Sequence, residues 1–237
     1  MAEALYLEDS YKKEFSSKVA SVKDGKFVVL DTTAFYPNMG GQPNDTGKLV
    51  RVADSKEFPV VFVGKFDGKI SHEVSEEGLM EGEEVKGLID WERRYRLMRM
   101  HTAAHVLSRV MYDETGAHTS GNQLGTEKSR IDFTLENFDR ESIPGWIEKA
   151  NAIIAKGGPV KKLFMDKCEA EKIPGFAAPS PHLMMDLPRL RVVDIEGVDV
   201  QPCGGTHLDT LEEIGKIGFL KAENKGKSNR RIYYTLK

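Results

Sequence analysis

The sequence is poor in cysteine and has no long apolar run. Its 237 residues include two cysteines, Cys168 and Cys203, and no signal peptide. A disulfide scaffold is therefore disfavoured, and we expect a cytoplasmic protein, in which a reactive thiol is more often a metal ligand than half of a disulfide. No apolar run approaches the length of a membrane span, so we expect no membrane partner.

An excess of positive charge is also lacking. The formal net charge is −3 at pH 7, which is not typical of a protein that binds nucleic acid with its whole surface. Any contact with RNA must then come from a local basic patch. The hydrophobic fraction of 40% and the charged fraction of 30% are ordinary for a protein with a buried core and one or two domains.

Short β segments fill the first part of the chain. Two Asp-Gly pairs, beginning at Asp24 and Asp67, each separate two such segments and predict tight hairpins. The predicted strands are Lys18–Val22, Lys26–Leu30, Val60–Gly64, Lys69–Val74 and Glu83–Asp90. Several short strands without a long helix predict a small β-barrel or sandwich over residues 1–90.

Long helices mixed with strands follow from Trp91 onward. The first predicted helix carries a core-facing apolar stripe with spacings of three and four: Leu97, Met100, Ala104, Leu107 and Met111. The second runs from about Pro144 to Lys156, with proline at its start and Gly157 after its end. Further strands are predicted at 160–165, 189–195, 218–223 and 231–236. Residues 91–237 are therefore predicted to form an α+β domain with a mainly antiparallel sheet.

Two pairs of potential metal ligands stand about a hundred residues apart. His101 and His105 lie four apart on the first predicted helix, so they project from one face of it. Cys203 and His207 flank a Gly-Gly turn. Three imidazole nitrogens and one sulfur form a tetrahedral donor set that suits zinc, and we predict one zinc ion per chain.

Other interpretations of these residues stay open. The HxxxH pair alone is compatible with two histidines that share a helix face by chance. A purely structural zinc site is a second alternative, although such sites usually contain several thiolates and this set has a single cysteine. A zinc protease of the HExxH type is disfavoured, because Thr102 occupies the position of the glutamate that serves as general base.

Together with two further segments, these motifs carry a family resemblance. HxxxH followed by CxxxH, with TTAFYPNMGGQP at 32–43 upstream and NKGKSNRRI at 224–232 near the end, resembles the AlaX family of free-standing alanyl-tRNA editing proteins. That family is related to the editing domain of alanyl-tRNA synthetase. A β-barrel followed by a zinc-containing editing domain is similar to its medium-length subgroup. Met39 departs from the pattern, since relatives often have a third consecutive glycine there.

The resemblance implies an editing hydrolase that acts in trans on charged tRNA. Its implied partner is alanine tRNA carrying serine, and whether glycine is also removed is left open; no protein partner is evident. Zinc could lower the pKa of a bound water to about 7, or it could hold the amino group of the substrate. Nothing in the sequence resembles a Ser-His-Asp arrangement, and Cys203 as a metal ligand would not be free to attack the ester.

The resemblance also implies catalytic-site roles in the glycine-rich segment. Thr33 is expected to hydrogen-bond the serine hydroxyl, a device that can reject an analogue without a hydroxyl by as much as about 10⁴ to 10⁵. Its alternative is a β-branched strand residue with a satisfied hydroxyl. Gln42 is expected to line the pocket or hold the loop, and Gly40 and Gly41 to shape that loop. Gly-Gly-Gln also occurs in peptide-chain release factors, which is a weak signal at three residues.

Contact with tRNA is expected from cations around the last predicted turn: Lys221, Lys225, Lys227, Arg230 and Arg231. A second candidate group precedes the histidine pair: Arg93, Arg94, Arg96 and Arg99. Its alternative is a set of charges that simply face solvent on the outside of a helix.

Two other functions share part of this pattern. One is an editing hydrolase of the threonyl-tRNA type, which has the same HxxxH and CxxxH ligand scheme. The other is a non-catalytic, zinc-stabilised tRNA-binding module. The loop around Gly40, Gly41 and Gln42 favours the alanine type, because the resemblance in that segment is to the alanine-type proteins.

Overall fold

The computed structural model describes residues 3–136, 139–172 and 189–237. The chain divides into two compact units, Met1–Leu97 and Met98–Lys237. The division lies within the first long helix, whereas the sequence prediction placed a domain boundary at Asp90 before it.

The first unit is built from eight strands. They are β1 (Glu3–Ala4), β2 (Glu14–Lys23), β3 (Phe27–Leu30), β4 (Thr32–Thr33), β5 (Gly47–Arg51), β6 (Glu57–Phe66), β7 (Lys69–Val74) and β8 (Glu84–Ile89). Six of them close into an antiparallel barrel in the order β2-β3-β7-β6-β5-β8. The two remaining strands, β1 and β4, form a short parallel pair. Of the two architectures that the sequence predicted, the barrel is confirmed.

Two hairpins of the barrel turn at Asp-Gly pairs, as predicted. Asp24 and Gly25 have φ angles of 51° and 68° between β2 and β3, and Asp67 and Gly68 have φ angles of 49° and 78° between β6 and β7. Two consecutive residues with positive φ give the backbone twist that a two-residue antiparallel hairpin needs. The barrel core is filled by fully buried side chains, among them Val28, Leu49, Phe58, Val63 and Val85.

The second unit combines helices with two antiparallel sheets. The helices are α1 (Trp91–Thr115), whose first residues belong to the first unit, α2 (Ile143–Lys156) and α3 (Lys167–Ala170). The strands are β9 (His118–Gln123), β10 (Ser129–Thr134), β11 (Val160–Asp166), β12 (Arg189–Ile195), β13 (Asp199–Pro202), β14 (Ile217–Asn224) and β15 (Asn229–Leu236). The sheet orders are β14-β15-β10-β9 and β11-β12-β13. The predicted α+β class with a mainly antiparallel sheet is confirmed.

The apolar pattern of α1 explains how that helix packs. All five residues of the predicted stripe are buried. Burying each such side chain contributes about 1.5–3 kcal/mol to folding relative to leaving it exposed. The histidine pair lies one residue beyond stripe positions, at the edge of this buried face. None of the helices in the described part of the chain has the length and apolar character needed to span a bilayer.

Candidate metal centre

Four side chains converge on one point of the second unit, as the sequence predicted. His101 and His105 project from the same face of α1, with ring centroids 5.5 Å apart. Cys203 directly follows β13, and His207 lies four residues later. One potential ligand atom from each residue lies within 4.8 Å of all the others. The cluster could therefore hold a metal ion.

The distances within the cluster suit a single small ion. The Cys203 sulfur lies 3.2 Å from His207 Nε2 and 3.5 Å from His101 Nε2. His101 and His207 are buried, and the other two residues are partly exposed. Three imidazoles and one sulfur from two distant stretches of chain form the donor set that zinc prefers, so the residues fit that ion.

Arg191 on β12 shapes the turn that carries two of the cluster residues. Its guanidinium donates to the carbonyl oxygens of Cys203 at 2.6 Å and Gly205 at 2.9 Å, and the Cys203 amide donates to the Arg191 carbonyl at 3.0 Å. The Gly205 amide in turn donates to the Cys203 sulfur at 3.4 Å. Arg191 was not predicted from the sequence. A signal was present, since this arginine interrupts an apolar strand that burial would otherwise favour.

The electrostatics of the cluster favour a thiolate. Burial opposes ionisation of the Cys203 thiol, but the adjacent His101 and His207 outweigh it and hold the pKa of Cys203 well below its usual range. Burial, together with the charge of His101, lowers the pKa of His207, so its imidazole stays neutral. A thiolate and a neutral imidazole are the forms that bind a metal ion.

His105 responds differently because a carboxylate lies beside it. Burial lowers its pKa, but the hydrogen bond to Asp199 and the proximity of Cys203 outweigh burial and raise the pKa of His105 to about 10. Asp199 Oδ2 lies 3.2 Å from His105 Nδ1. Thr102 Oγ1 makes a comparable contact to His207 Nδ1, also at 3.2 Å. Neither Asp199 nor Thr102 was predicted from the sequence as part of the site.

A cavity of about 350 Å³ opens beside the two histidines of α1. Its walls include Ser108 and Tyr112 of α1, His118 and Asn122 of β9, and Gln201 of β13. The buried Asn122 Oδ1 has no hydrogen-bond partner among the described residues. The two histidines of α1 thus border a cavity that could receive a ligand and that has polar side chains in its wall.

The glycine-rich segment belongs to the first unit. Thr33 is fully buried on β4, where its hydroxyl lies 2.8 Å from His72 Nε2 and accepts a hydrogen bond from the Phe35 amide at 3.1 Å. Gln42 is also fully buried, and its backbone pairs with that of Met39. The expected contacts of Thr33 and Gln42 with a substrate stay predictions.

Gly40 and Gly41 form the tip of this segment. Their φ angles are 60° and 80°, which glycine adopts without the strain that a side chain would introduce. They therefore shape the loop tip in the described backbone. Their expected proximity to a substrate stays a prediction.

Arg94 anchors this segment instead of belonging to an exposed basic group. It is fully buried, and its guanidinium forms a salt bridge with Asp45 and donates to the carbonyl oxygens of Ser10 and Ala34. Asp45 also accepts the Tyr36 amide at 2.6 Å. Arg94 therefore fixes both ends of the loop, and the expectation that it contacts RNA is corrected: a buried guanidinium with these partners has no face left for a phosphate.

The cations around the β14–β15 turn divide into two kinds. Arg230 is buried and donates to backbone carbonyl oxygens of the turn, including those of Gly226 at 2.8 Å and Lys227 at 3.1 Å. Arg231 pairs with Asp132. These bonds give both arginines a role in holding the hairpin, and their contact with tRNA stays a prediction.

The lysines of the same hairpin are exposed to solvent. Lys221 and Lys225 both pair with Glu223, at 2.6 Å and 2.9 Å. Lys227 lies at the exposed turn itself. Their contact with tRNA likewise stays a prediction, and their exposure leaves it physically open.

Two family models match parts of the chain. Residues 190–233 match the threonyl and alanyl tRNA synthetase second additional domain, and residues 2–93 match the class II (A) tRNA synthetases. The first match includes Cys203 and His207. It does not distinguish the threonyl type from the alanyl type, because its description covers both.

Full-length relatives make that distinction. The alanyl-tRNA editing protein AlaX-M of Methanosarcina barkeri is 51% identical over 241 residues, which cover all of this chain and 99% of that protein. AlaX-M of Saccharolobus solfataricus is 41% identical over 238 residues and is matched over its whole length. An alanine–tRNA ligase of Methanococcus maripaludis is 36% identical over 98% of this chain but only 26% of the ligase. The chain belongs to the AlaX-M family of alanyl-tRNA editing proteins.

Proposed function

We propose that the protein hydrolyses the ester that joins serine to the 3′ adenosine of alanine tRNA, with one zinc ion held by His101, His105, Cys203 and His207. The observation that carries the proposal is the convergence of these four side chains beside a cavity whose wall includes His101 and His105. Membership of the AlaX-M family supports alanine tRNA as the substrate carrier. The threonyl alternative has no comparable full-length support among these relatives.

When bound, zinc would supply a Lewis acid at the mouth of the cavity. The chain's own residues would then position the substrate. An aminoacyl ester is already reactive, so correct placement of the ester and a water provides much of the needed acceleration. Cys203 is directed at the other cluster members and is not proposed as a nucleophile.

The polar wall of the cavity is proposed to orient the aminoacyl end. Asn122 offers a buried acceptor without a partner among the described residues, which would accept a hydrogen bond from a substrate N–H or O–H group. Leaving such an acceptor unpaired costs about 1–3 kcal/mol, so a ligand that satisfies it gains affinity.

Thr33 and Gln42 remain our proposed contacts for the serine moiety. His72 Nδ1 lies 2.9 Å from the Val28 carbonyl oxygen and must donate to it, so His72 Nε2 is an acceptor. The Thr33 hydroxyl therefore donates to His72, and its oxygen accepts the Phe35 amide. One acceptor position remains on the Thr33 oxygen for the hydrogen of a serine hydroxyl, and because Thr33 is fully buried the proposed contact requires the substrate to gain access to it.

A deacylation assay tests the proposed function. Alanine tRNA charged with serine, glycine or alanine is incubated with the protein, with and without a zinc chelator. We expect rapid loss of serine, retention of alanine, and loss of activity on chelation that added zinc restores. Threonine tRNA charged with serine serves as the matched control for the tRNA.

Each alternative gives a different result. Binding of alanine tRNA with every ester left intact would identify a non-catalytic module. Preferential hydrolysis of the threonine tRNA ester would identify the threonyl type. Activity that survives chelation would contradict the role of zinc.

A further inference from the structure

Two of the three cluster histidines have their outward ring nitrogens engaged by specific side chains. His105 Nδ1 lies 3.2 Å from Asp199 Oδ2, and His207 Nδ1 lies 3.2 Å from Thr102 Oγ1. Asp199 and Thr102 are both buried. Neither the family resemblance nor the comparison with relatives assigns a role to Asp199 or Thr102.

Asp199 is held in place independently of the histidine. Its other carboxylate oxygen, Oδ1, lies 3.3 Å from Gln201 Nε2, which donates to it. Asp199 also begins β13, the strand that leads directly into Cys203. The strand that delivers the thiolate therefore also delivers the acceptor for His105.

Thr102 makes the converse connection: it lies on α1 and supports a histidine of the segment that follows β13. It follows His101 on α1, and its oxygen accepts the Leu208 amide at 3.2 Å. A hydroxyl oxygen has two acceptor positions, so the second can accept Nδ1–H of His207. Thr102, the neighbour of His101 on α1, thus supports His207.

These contacts select one tautomer of each ring. Metal binding requires each ring to lose its Nε2 proton, and the remaining proton on Nδ1 is then donated outward while the Nε2 lone pair serves the metal ion. A hydrogen-bonded ring also loses less rotational freedom when a metal ion binds. Such outer partners typically change metal affinity by about 10-fold to 100-fold.

We propose that Asp199 and Thr102 are positioning residues that orient His105 and His207 for metal binding. The proposal rests on the zinc site of the proposed function, but it concerns affinity for the ion and not turnover. Asp199 acts through His105, and Thr102 acts through His207.

Zinc affinity, measured by competition with a chromogenic chelator, tests the proposal. Asp199→Ala is expected to weaken zinc binding about 10-fold to 100-fold, and Asp199→Asn by less, because an amide oxygen can still accept the His105 proton. Thr102→Val should weaken binding, and Thr102→Ser should restore it. Asp166→Asn is the matched control, since Asp166 is an exposed carboxylate of the same unit that pairs with Arg189.

Double variants separate positioning from a general structural effect. In a His105→Ala background, Asp199→Ala should no longer change zinc affinity, whereas in a His101→Ala background it should keep its full effect. Equal losses in both backgrounds would overturn the proposal, as would wild-type affinity in both Asp199 variants.

The result is distinguishable from a failure of the proposed function. A protein that binds zinc with the predicted dependence on Asp199 and Thr102, but leaves the seryl ester intact, would retain the positioning roles and lose the hydrolase. If the protein hydrolyses the ester but neither Asp199 nor Thr102 variants change its zinc affinity, the hydrolase function is retained and the positioning roles are lost.

Discussion

At the scale of single residues, several buried polar side chains of this protein have defined partners. Thr33, His72 and Arg191 each make hydrogen bonds at 3.1 Å or less. Burying such groups is costly unless they are paired, and once paired they fix one arrangement of the surrounding backbone. Substituting one partner therefore strands the other, which makes these positions informative to test.

The Thr33 hydroxyl can be tested by replacement with an isosteric methyl group. Thr33→Val should reduce the ratio of kcat/KM for seryl over alanyl alanine tRNA by about 10-fold to 100-fold, because a lost hydrogen bond costs about 1–3 kcal/mol. Thr32→Val, the β-branched neighbour on the same strand, is the control. An unchanged ratio in a folded Thr33 variant would leave the hydroxyl with a structural role beside His72 only.

His72 should make the stability of the protein depend on pH. Burial lowers its pKa from 6.5 to about 4, partly offset by the hydrogen bond to the Val28 carbonyl. The folded state holds His72 neutral while the unfolded state takes up a proton below pH 6.5. Its contribution is therefore complete above pH 6.5 and is lost as pH falls toward 4, at about 1.4 kcal/mol per pH unit and about 3 kcal/mol in all.

Urea unfolding at several pH values between 7 and 4 measures this dependence. Wild-type protein should lose stability more steeply than His72→Gln across that interval. Parallel curves for the two proteins would show that His72 does not carry the effect.

At the scale of elements, two side chains hold the loops that the resemblance singled out. Arg94, at the start of α1, holds the glycine-rich segment through Asp45, and Arg230 holds the β14–β15 turn. Both arginines were candidates for RNA contact from the sequence. Composition and spacing could not reveal their burial, because an arginine on a helix or in a turn is usually exposed.

Removing the Arg94 guanidinium should destabilise the first unit. Arg94→Met leaves the Asp45 carboxylate buried without a counter-charge, which typically costs about 3–5 kcal/mol. The free energy of unfolding in urea measures the loss, and adding Asp45→Asn to the same chain should recover part of it. A loss below about 1 kcal/mol for Arg94→Met would contradict an anchoring role.

The β14–β15 hairpin should respond differently at its exposed and buried cations. Lys227→Glu should raise KM for charged tRNA severalfold, with kcat little changed and a weaker dependence on salt. Arg230→Ala should instead lower the thermal unfolding temperature, because it leaves backbone carbonyls of the turn unpaired. Lys156→Glu, at the exposed end of α2, is the charge-matched control. An unaltered KM for Lys227→Glu would remove this turn from the tRNA surface.

At the scale of the whole molecule, short-range signals were read correctly from the sequence. The Asp-Gly hairpins, the apolar stripe of α1 and the ends of α2 all depend on neighbouring residues. The convergence of the four cluster side chains was also predictable, because helical spacing fixes one pair and a short turn fixes the other. The donor types of these four side chains, three imidazoles and one thiol, then favour zinc as the bound ion.

Long-range features were not predictable in the same way. Strand β9 reads HTSGNQ, which has no β-branched alternation, and it is a strand because it pairs with β10. The contacts of Asp199 with His105 and of Thr102 with His207 join residues 94 and 105 positions apart in the chain, and no local pattern specifies them. Tertiary contacts determine the structure at these positions, and the periodicity of the local sequence does not predict those contacts.

X-ray absorption at the zinc edge tests the central claim most directly. For protein purified with its metal, we predict about one zinc per chain, with a single sulfur neighbour at about 2.3 Å and imidazole nitrogens at about 2.0–2.1 Å. In Cys203→Ala the sulfur neighbour should disappear. A zinc-free protein, or a zinc whose sulfur neighbour persists in Cys203→Ala, would contradict the account.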